Sequence, residues 1–282
     1  YAAGTVTASG TPGPSEAGGL VGYKFYGSIS NAYATGNVTG SGLSEIGGLV
    51  GSNNGPISNA YATGNVTGSN VAAGGLIGIT YDGTIRDVYA TGNMTGNDVA
   101  AGGLIGNNYY GTLSNAYFDT STSGTTASIG RGHMSGGKGL TTVQWLTEGP
   151  MVSGSPYSFT DPGAWVSGSP YPILSALPHI VISSTGAQTY GQSVFSVSSL
   201  TFTDQNSKNA SSLVETSNLK WYSPLLSSTS NAGTTGAMYG TGATAKGYQI
   251  TYQATDTVSK AALGITALNQ TGTYGQTPSL NN

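Results

Sequence analysis

The chain has no cysteine, few charged residues and only two histidines. Of its 282 residues, 7% are charged, and the formal net charge is -3. Without cysteine, disulfides, thiolate metal sites and cysteine nucleophiles are excluded. With so little positive charge, no basic surface can hold phosphates, so we predict that nucleic acid is not a partner. No apolar run approaches the ~20 residues of a membrane-spanning helix, so we expect no membrane span in this segment.

Patterns for catalysis and metal binding are also missing. His133 and His179 are too few to hold a transition metal. Neither lies near a carboxylate in the sequence, and no serine sits in a G-x-S-x-G turn, so a hydrolase triad is not expected. We predict a protein that is not an enzyme and that holds no cofactor and no metal. One alternative stays open, a calcium ion at a domain junction, drawing on the scattered carboxylates Asp119, Asp161, Asp204 and Asp256.

One glycine-rich segment imitates a phosphate-binding loop. GHMSGGKG, residues 132–139, agrees with seven of the eight positions of that motif, but its last residue is Gly139. The motif needs a Ser or Thr hydroxyl there as a magnesium ligand, and it needs a strand before the loop and a helix after it. We therefore interpret the segment as an ordinary loop.

Glycine is abundant, with 46 residues, and it recurs within a repeat. NAYATGNVTG begins at Asn31 and again at Asn59, DVYATGNMTG begins at Asp87, and a decayed copy, NAYFDTSTSG, begins at Asn115. The tyrosines of these copies fall 28 residues apart, at Tyr33, Tyr61, Tyr89 and Tyr117. A fixed period of this size is typical of a protein built from stacked repeats.

Apolar residues recur in register with the tyrosines. Each repeat carries a GGLVG or GGLIG box, and its leucines are Leu20, Leu49, Leu76 and Leu104. A unit this short cannot bury its own apolar face, but coils that hydrogen-bond to each other build one continuous core. Helix is disfavoured by the glycines and β-branched residues. We predict a β-solenoid with coils ~4.8 Å apart, and we expect the glycines to occupy its corners with positive φ.

Polar residues form columns of their own. Three such columns are Asn31, Asn59, Asp87 and Asn115; Thr35, Thr63 and Thr91; and Thr39, Thr67 and Thr95. Stacked side chains of one kind can hydrogen-bond along the rod, so we interpret them as structural ladders. A threonine array that orders water is the alternative.

The box followed by ISNAYATGNV closely resembles the GLUG motif, a repeat of large bacterial surface proteins. AYFDTSTSG, GKGLTTVQW and WVSGSPYPIL, which ends at Leu174, look like the closing segment of the filamentous-haemagglutinin-like adhesins that contain this motif. The resemblance covers about residues 1–176. One departure is Phe118, where many closing segments have Trp. The resemblance implies an extracellular location on the bacterial cell surface.

The texture changes at about Leu177 to longer strands with period-two alternation, which predicts a small antiparallel, sandwich-like β-domain. A second repeat places Tyr190 and Tyr274 84 residues apart and resembles the MBG/YDG module of the same adhesins. We predict an all-β chain with four parts: a β-solenoid of GLUG-like repeats at 1–120, its closing segment at 121–176, an MBG/YDG-like domain at 177–260, and the truncated start of a second module at 261–282.

N-x-[ST] sequons recur once per coil and again near the end of the chain. Their asparagines are Asn37, Asn65, Asn93, Asn209 and Asn269. Such sites accept N-linked sugar, but they also arise by chance in Asn- and Thr-rich turns, so both readings stay open. The first three should form one solvent-facing column. Peptide mass spectrometry of the native protein decides between sugar and bare turn residues.

A set of aromatic residues lies between the box and the tyrosine segment: Tyr23, Phe25, Tyr26, Tyr81, Tyr109 and Tyr110. Exposed rings here could stack on sugars. The leading hypothesis is a structural and adhesive segment of a large secreted surface protein or extracellular fibre. A carbohydrate-binding module and a self-assembling filament subunit are the alternatives. The expected partners are a host or neighbouring-cell surface, through its protein or glycan, and other copies of the chain.

Overall fold

The computed structural model describes residues 1–9, 15–42, 44–69, 72–95, 100–132, 136–192 and 195–262. Asn269 and Tyr274 lie outside these residues, as does His133. The described chain is all-β apart from one short α-helix and two 3-10 turns, and it begins with the predicted β-solenoid.

Each coil of the solenoid has four sides. The strand on each side pairs with the equivalent strand of the next coil, so the coils form four parallel sheets. Sheet 1 contains β1 Val6–Ser9, β5 Val38–Ser41, β9 Val66–Ser69 and β13 Met94–Thr95. Sheet 2 contains β2 Ser15–Gly18, β6 Ser44–Gly47, β10 Ala72–Gly74 and β14 Ala100–Gly102. Sheet 3 contains β3 Val21–Lys24, β7 Val50–Asn54, β11 Ile77–Asp82, β15 Ile105–Asn108 and β17 Ile129–Gly132. Sheet 4 contains β4 Ile29–Ala34, β8 Ile57–Ala62, β12 Thr84–Ala90, β16 Thr112–Asp119 and β18 Lys138–Leu140.

The predicted columns are in register. Ile57 pairs with Ile85, and Val38 pairs with Val66, each one coil apart. Leu49, Leu76 and Leu104 are completely buried in one column, between sheets 3 and 4. A second apolar cluster fills the space between sheets 1 and 2. The coils therefore enclose a continuous core that no single repeat could form.

The glycines of the box act by their small size, and the expectation that they take positive φ at corners was wrong for them. A Cβ on Gly48 would collide with the carbonyl oxygen of Gly75 in the next coil. A Cβ on Gly51 would lie 2.6 Å from the backbone nitrogen of Ala17. Backbones from adjacent sheets and coils approach so closely here that any side chain is excluded.

Glycines outside the box do take the expected positive φ, at Gly27, Gly55 and Gly83. The asparagine column in sheet 4 takes it as well. Asn31, Asn59, Asp87 and Asn115 have φ between 46° and 53°. Asn and Asp tolerate this left-handed conformation better than most residues. The turn it makes allows Ile57 and Ala60, which are three residues apart, both to be fully buried. The column therefore sets which side chains of sheet 4 face the core.

The segment after the last coil folds back over the outer face of sheet 4. It contains helix α1 Thr142–Glu148, a 3-10 turn Pro162–Ala164, and the short antiparallel pair β19 Trp165–Val166 and β20 Ile173–Leu174. The helix begins with a capping box, in which Thr141 and Gln144 bond reciprocally to each other's backbone. Its buried Trp145 packs on the tyrosines of sheet 4.

The remaining chain forms a small, mainly antiparallel sheet. Its strands are β21 His179–Thr189, β22 Phe195–Val197, β23 Thr201–Asp204, β24 Lys220–Tyr222, β25 Thr235–Thr241 and β26 Gln249–Ser259, with a 3-10 turn at Ser211–Leu213. One pair differs from the expected antiparallel pattern, because β21 and β26 run parallel over eleven residues. The long connection between them, which carries the other strands, returns the chain to the end where β21 began. The sheet is therefore mixed.

Leu76→Ala should lower the free energy of unfolding by ~2 to 5 kcal/mol. Leu76 is fully buried between Leu49 and Leu104, so the coils above and below hold the void open. Chemical denaturation measures the change. Leu20→Ala is the matched control, since Leu20 occupies the same column in the first coil but is only partly buried, and its loss should be clearly smaller. Equal losses at the two positions would contradict a core that runs through the stacked coils.

Candidate functional site

A ladder of tyrosines crosses the outer face of sheet 4. Tyr1, Tyr33, Tyr61 and Tyr89 stack nearly parallel, with successive ring centroids 5.1, 5.0 and 4.8 Å apart. This spacing follows from the coil repeat, which brings identical rings to the distance that stacking favours. Tyr117 leaves the stack and meets Trp145 edge-on at 6.2 Å. We call the four stacked rings the tyrosine ladder.

The tyrosine ladder joins the three parts of the chain. The hydroxyl of Tyr61 donates to Gln249 Oε1 at 2.8 Å, and the hydroxyl of Tyr89 donates to the carbonyl of Pro172 at 2.7 Å. Gln249 also accepts from the nitrogen of Leu174 at 3.0 Å and donates to its carbonyl at 2.8 Å. Solenoid, closing segment and β-domain are therefore tied together at one buried glutamine.

A buried carboxylate fixes the start of the closing segment. Asp119, at the end of β16, accepts hydrogen bonds from Thr142 Oγ1 at 2.6 Å, Tyr171 Oη at 2.5 Å and the nitrogen of Ser121 at 2.7 Å. Burial, followed by the charge of Asp119, raises the pKa of Tyr171 well above its usual range. Tyr171 therefore remains a hydrogen-bond donor, and the carboxylate has a structural role.

A second carboxylate, Asp87, stands in the third coil at the position that is asparagine in the other coils. Asp87 accepts from the nitrogen and the hydroxyl of Thr160, both at 2.6 Å, and forms an ion pair with Arg86 at 2.7 Å. Asn115 donates to it at 3.2 Å from the next coil. The repeat departs from its consensus at residues 86 and 87 because the closing segment docks on this coil.

A cleft of about 1070 Å³ lies where the tyrosine ladder faces the β-domain. On the solenoid side it is lined by Thr35, Thr63 and Thr91, one from each coil, beside the rings of the ladder. On the other side it is lined by Tyr222, by Tyr239 and by the segment 243–252. Ser169–Ile173 of the closing segment contributes further residues, among them Tyr171. The arrangement can surround an extended ligand with phenol rings and hydroxyl groups.

The predicted asparagine column is present directly before the strands of sheet 1, where Asn37, Asn65 and Asn93 are all exposed. The side-chain oxygen of Asn37 accepts from the nitrogen of Asn65 at 2.9 Å, and that of Asn65 accepts from the nitrogen of Asn93 at 3.0 Å. These bonds use only the oxygen, so they leave the amide nitrogen for modification. Asn209 is also exposed, and its side-chain oxygen accepts from the nitrogen of Ser211 at 2.9 Å. Glycosylation at these sites stays a prediction.

The predicted aromatic set is exposed, but its rings do not form one platform. Exposure ranges from 41% for Tyr109 to 78% for Tyr26. Tyr81 and Tyr109 stack on each other with centroids 5.4 Å apart and planes within 4°, so each covers one face of the other. Phe25 meets Tyr26 edge-on at 4.3 Å. In the second coil, the residue that pairs with Tyr23 is Ser52, so the aromatic rings do not continue from coil to coil.

Glu45, near Tyr81 of the predicted aromatic set, has a raised pKa. Glu16 and Glu45 pair in register on sheet 2. Burial, and next the neighbouring charge of Glu16, raises the pKa of Glu45. The same carboxylates contribute to a raised pKa of Tyr81, whose largest cause is burial. These groups are near one another, but two carboxylates do not make a metal site.

Within the described residues, no group of three or more His, Asp and Glu side chains could hold a metal ion. Asp161 is exposed, and Asp204 holds a tight turn by accepting from the nitrogens of Asn206 and Lys208, each at 2.9 Å. Asp256 is fully buried, and its oxygens have no hydrogen-bond partner among those residues. Parts of 132–139 lie outside the described ranges. No described helix has the length and apolar character needed to cross a bilayer.

The threonine columns are visible in the sequence, but the sequence did not predict the cleft. The Thr35 column carried no sign that a distant segment would cover it, because Tyr222 and Lys246 follow it by more than 130 residues and have no motif of their own. Helix α1 did have a signal, the T-x-x-Q capping box at Thr141.

Comparison with known proteins identifies the repeats. Residues 13–39, 42–67 and 69–95 match the family model described as the GLUG motif. Over 55 residues the chain is 44% identical to a protein of Evansella cellulosilytica whose name describes it as a Gly-rich membrane protein. That match takes in 20% of this chain and 6% of the relative, so the chain spans only a small part of that protein. No solved structure matches the chain.

Alkaline pH should destabilise the fold through the tyrosine ladder. Burial, with a contribution from Tyr1, raises the pKa of Tyr33 to about 12, and burial raises the pKa of Tyr61 and Tyr89 well above the usual value. A raised folded pKa means that the neutral ring is favoured in the fold. This stabilisation is complete below the unfolded pKa of ~10 and is lost as pH rises through the folded values. Above about pH 10, we expect the tyrosinate absorbance to increase while the circular dichroism signal of the fold decreases.

The control for this titration is Tyr61→Phe, which keeps the ring and removes one ionisable group. Its stability should fall less steeply with pH than that of the unchanged chain. Ionisation of all 18 tyrosines in one step near pH 10 with the fold intact would contradict the prediction.

Asp87→Asn should lower the free energy of unfolding by about 1 to 3 kcal/mol. Asparagine adopts the same positive φ in the other coils, so the change removes charge and acceptor capacity without backbone strain. Asn59→Asp is the matched reverse change. It should also destabilise, because residue 59 is buried and the partner of Arg86 in its coil is Ser58. Chemical denaturation checks both, and an unchanged stability of Asp87→Asn would show that Thr160 does not dock through this carboxylate.

Proposed function

We propose that the chain is a non-enzymatic structural and adhesive segment of a bacterial surface protein. Its repeats match the GLUG motif, and a protein that is similar to it over 55 residues is named as a Gly-rich membrane protein. In this proposal, the solenoid and β-domain form part of a stalk on the outside of the cell. Adhesion to a host or neighbouring-cell surface, and kinship of the segment after residue 177 with the MBG/YDG modules of large adhesins, belong to the same proposal.

The observation that carries the proposal is that the polar and aromatic columns connect successive coils and connect the solenoid to the β-domain, which stiffens the chain. The rings of the tyrosine ladder stack between coils, Asn37 bonds to Asn65 of the next coil, and Gln249 bonds between parts of the chain. A spacer needs a joint between rod and domain that does not bend freely, and Gln249 makes such a joint with four hydrogen bonds. The repetition of one coil also lets length grow without a new fold.

The experiment uses the source bacterium and its intact parent protein. Antibody raised against residues 1–262 should label unbroken cells, and an in-frame deletion of the segment should reduce attachment to surfaces or to other cells. Gln249→Leu is the matched variant, since it removes the joint while leaving the length of the rod unchanged. Labelling that appears only after the cells are broken, or attachment unaffected by the deletion, contradicts the proposal.

A further inference from the structure

The cleft between the tyrosine ladder and the β-domain goes beyond a stiffening role. Its volume of about 1070 Å³ is at the upper end of ordinary ligand sites, which lie at domain junctions and combine apolar walls with a few polar groups. Three parts of the chain surround it, so it exists only in the assembled fold. None of the aromatic residues selected from the sequence lines it.

The side chains that line the cleft are mostly tyrosine and threonine. Tyr222 is 42% exposed and stacks on Tyr239 with centroids 5.1 Å apart. Phenol rings offer flat apolar surface with a polar edge, which suits the mixed faces of a sugar ring. Hydroxyl groups both donate and accept hydrogen bonds, as the hydroxyls of a sugar do.

The hydroxyls on the solenoid wall are evenly spaced. Thr35, Thr63 and Thr91 follow one another at the coil spacing of ~4.8 Å, and Thr35 is exposed while the other two are half-buried. The corresponding column on sheet 1 differs, because Thr67 and Thr95 bond to each other at 2.9 Å. A regular row of hydroxyls fits a ligand that is itself a chain of repeated polar units.

Charge narrows the ligand class further. Among the described residues that line the cleft, Lys246 has the single charged side chain, and none is Asp or Glu. A basic peptide would find no counter-charge there, and the many phosphates of a nucleic acid would find one lysine. A neutral ligand, or one with an isolated acidic group near Lys246, meets no such penalty.

We propose that this cleft binds a linear oligosaccharide that is neutral or carries a single uronic acid. The sugar rings lie against Tyr222 and Tyr1, which are exposed, whereas Tyr33, Tyr61 and Tyr89 are buried. The sugar hydroxyls bond to the Thr35, Thr63 and Thr91 column. The site is separate from the proposed surface role, since a stalk can stand without binding sugar.

The test exposes the full 282-residue chain to a printed array of linear oligosaccharides, with and without uronic acids, and then titrates any bound glycan calorimetrically. Thr63→Val removes one hydroxyl at constant shape and should weaken binding roughly fivefold. Tyr222→Ala removes an exposed ring and should weaken it roughly tenfold. Lys246→Ala should weaken only glycans that carry an acid.

Two control variants lie outside the cleft. Thr67→Val makes the same chemical change in the same coil on sheet 1, and Tyr110→Ala removes an exposed ring of the aromatic set selected from the sequence. Both should bind as the unchanged chain does, with circular dichroism showing that all variants are folded. The proposal is overturned if no glycan on the array is retained, or if Tyr110→Ala abolishes binding while Thr63→Val and Tyr222→Ala leave it intact. Surface labelling of cells is read separately, so failure here leaves the proposed function standing.

Discussion

The structure depends on one constraint, the parallel in-register stacking of coils through backbone hydrogen bonds. Each residue lies beside the same residue of the next coil, as Leu49 does beside Leu76. Any side chain that suits one coil must therefore suit its own copy at the coil spacing. Leucine satisfies this by packing, tyrosine by stacking, and asparagine by bonding to the next backbone. Glycine satisfies it where no side chain fits, as at Gly48.

Departures from the repeat mark the places where something other than a coil makes contact. Asp87 and Arg86 replace Asn and Ser in the coil whose carboxylate accepts hydrogen bonds from Thr160. Phe118 replaces the alanine of earlier coils and is fully buried, and its ring fills the space that a Cβ on Gly103 would need. The large ring occupies core volume where the last complete coil ends. Each exception has a physical partner that the consensus residue could not serve.

The outer face of sheet 4 explains why the segment after the coils folds back along the rod. Stacked tyrosines present a broad aromatic strip, and an apolar strip of this kind gains free energy when it is covered. Trp145 and Trp165 cover part of it and are themselves almost fully buried. The cover is incomplete beside the threonine column, and this gap between the three parts of the chain is the cleft.

The sequence by itself determined the period, the solenoid and the columns, because a repeated residue in a stacked coil can only face what its copies face. It also indicated the exposed column of Asn37, Asn65 and Asn93. Only the tertiary structure decided that the box glycines serve close packing, that β21 and β26 run parallel, and that Gln249 meets Tyr61. Those features join residues up to 188 positions apart, and nothing local in the chain encodes such a meeting. The cleft is of the same kind, since its walls become neighbours only after the β-domain docks.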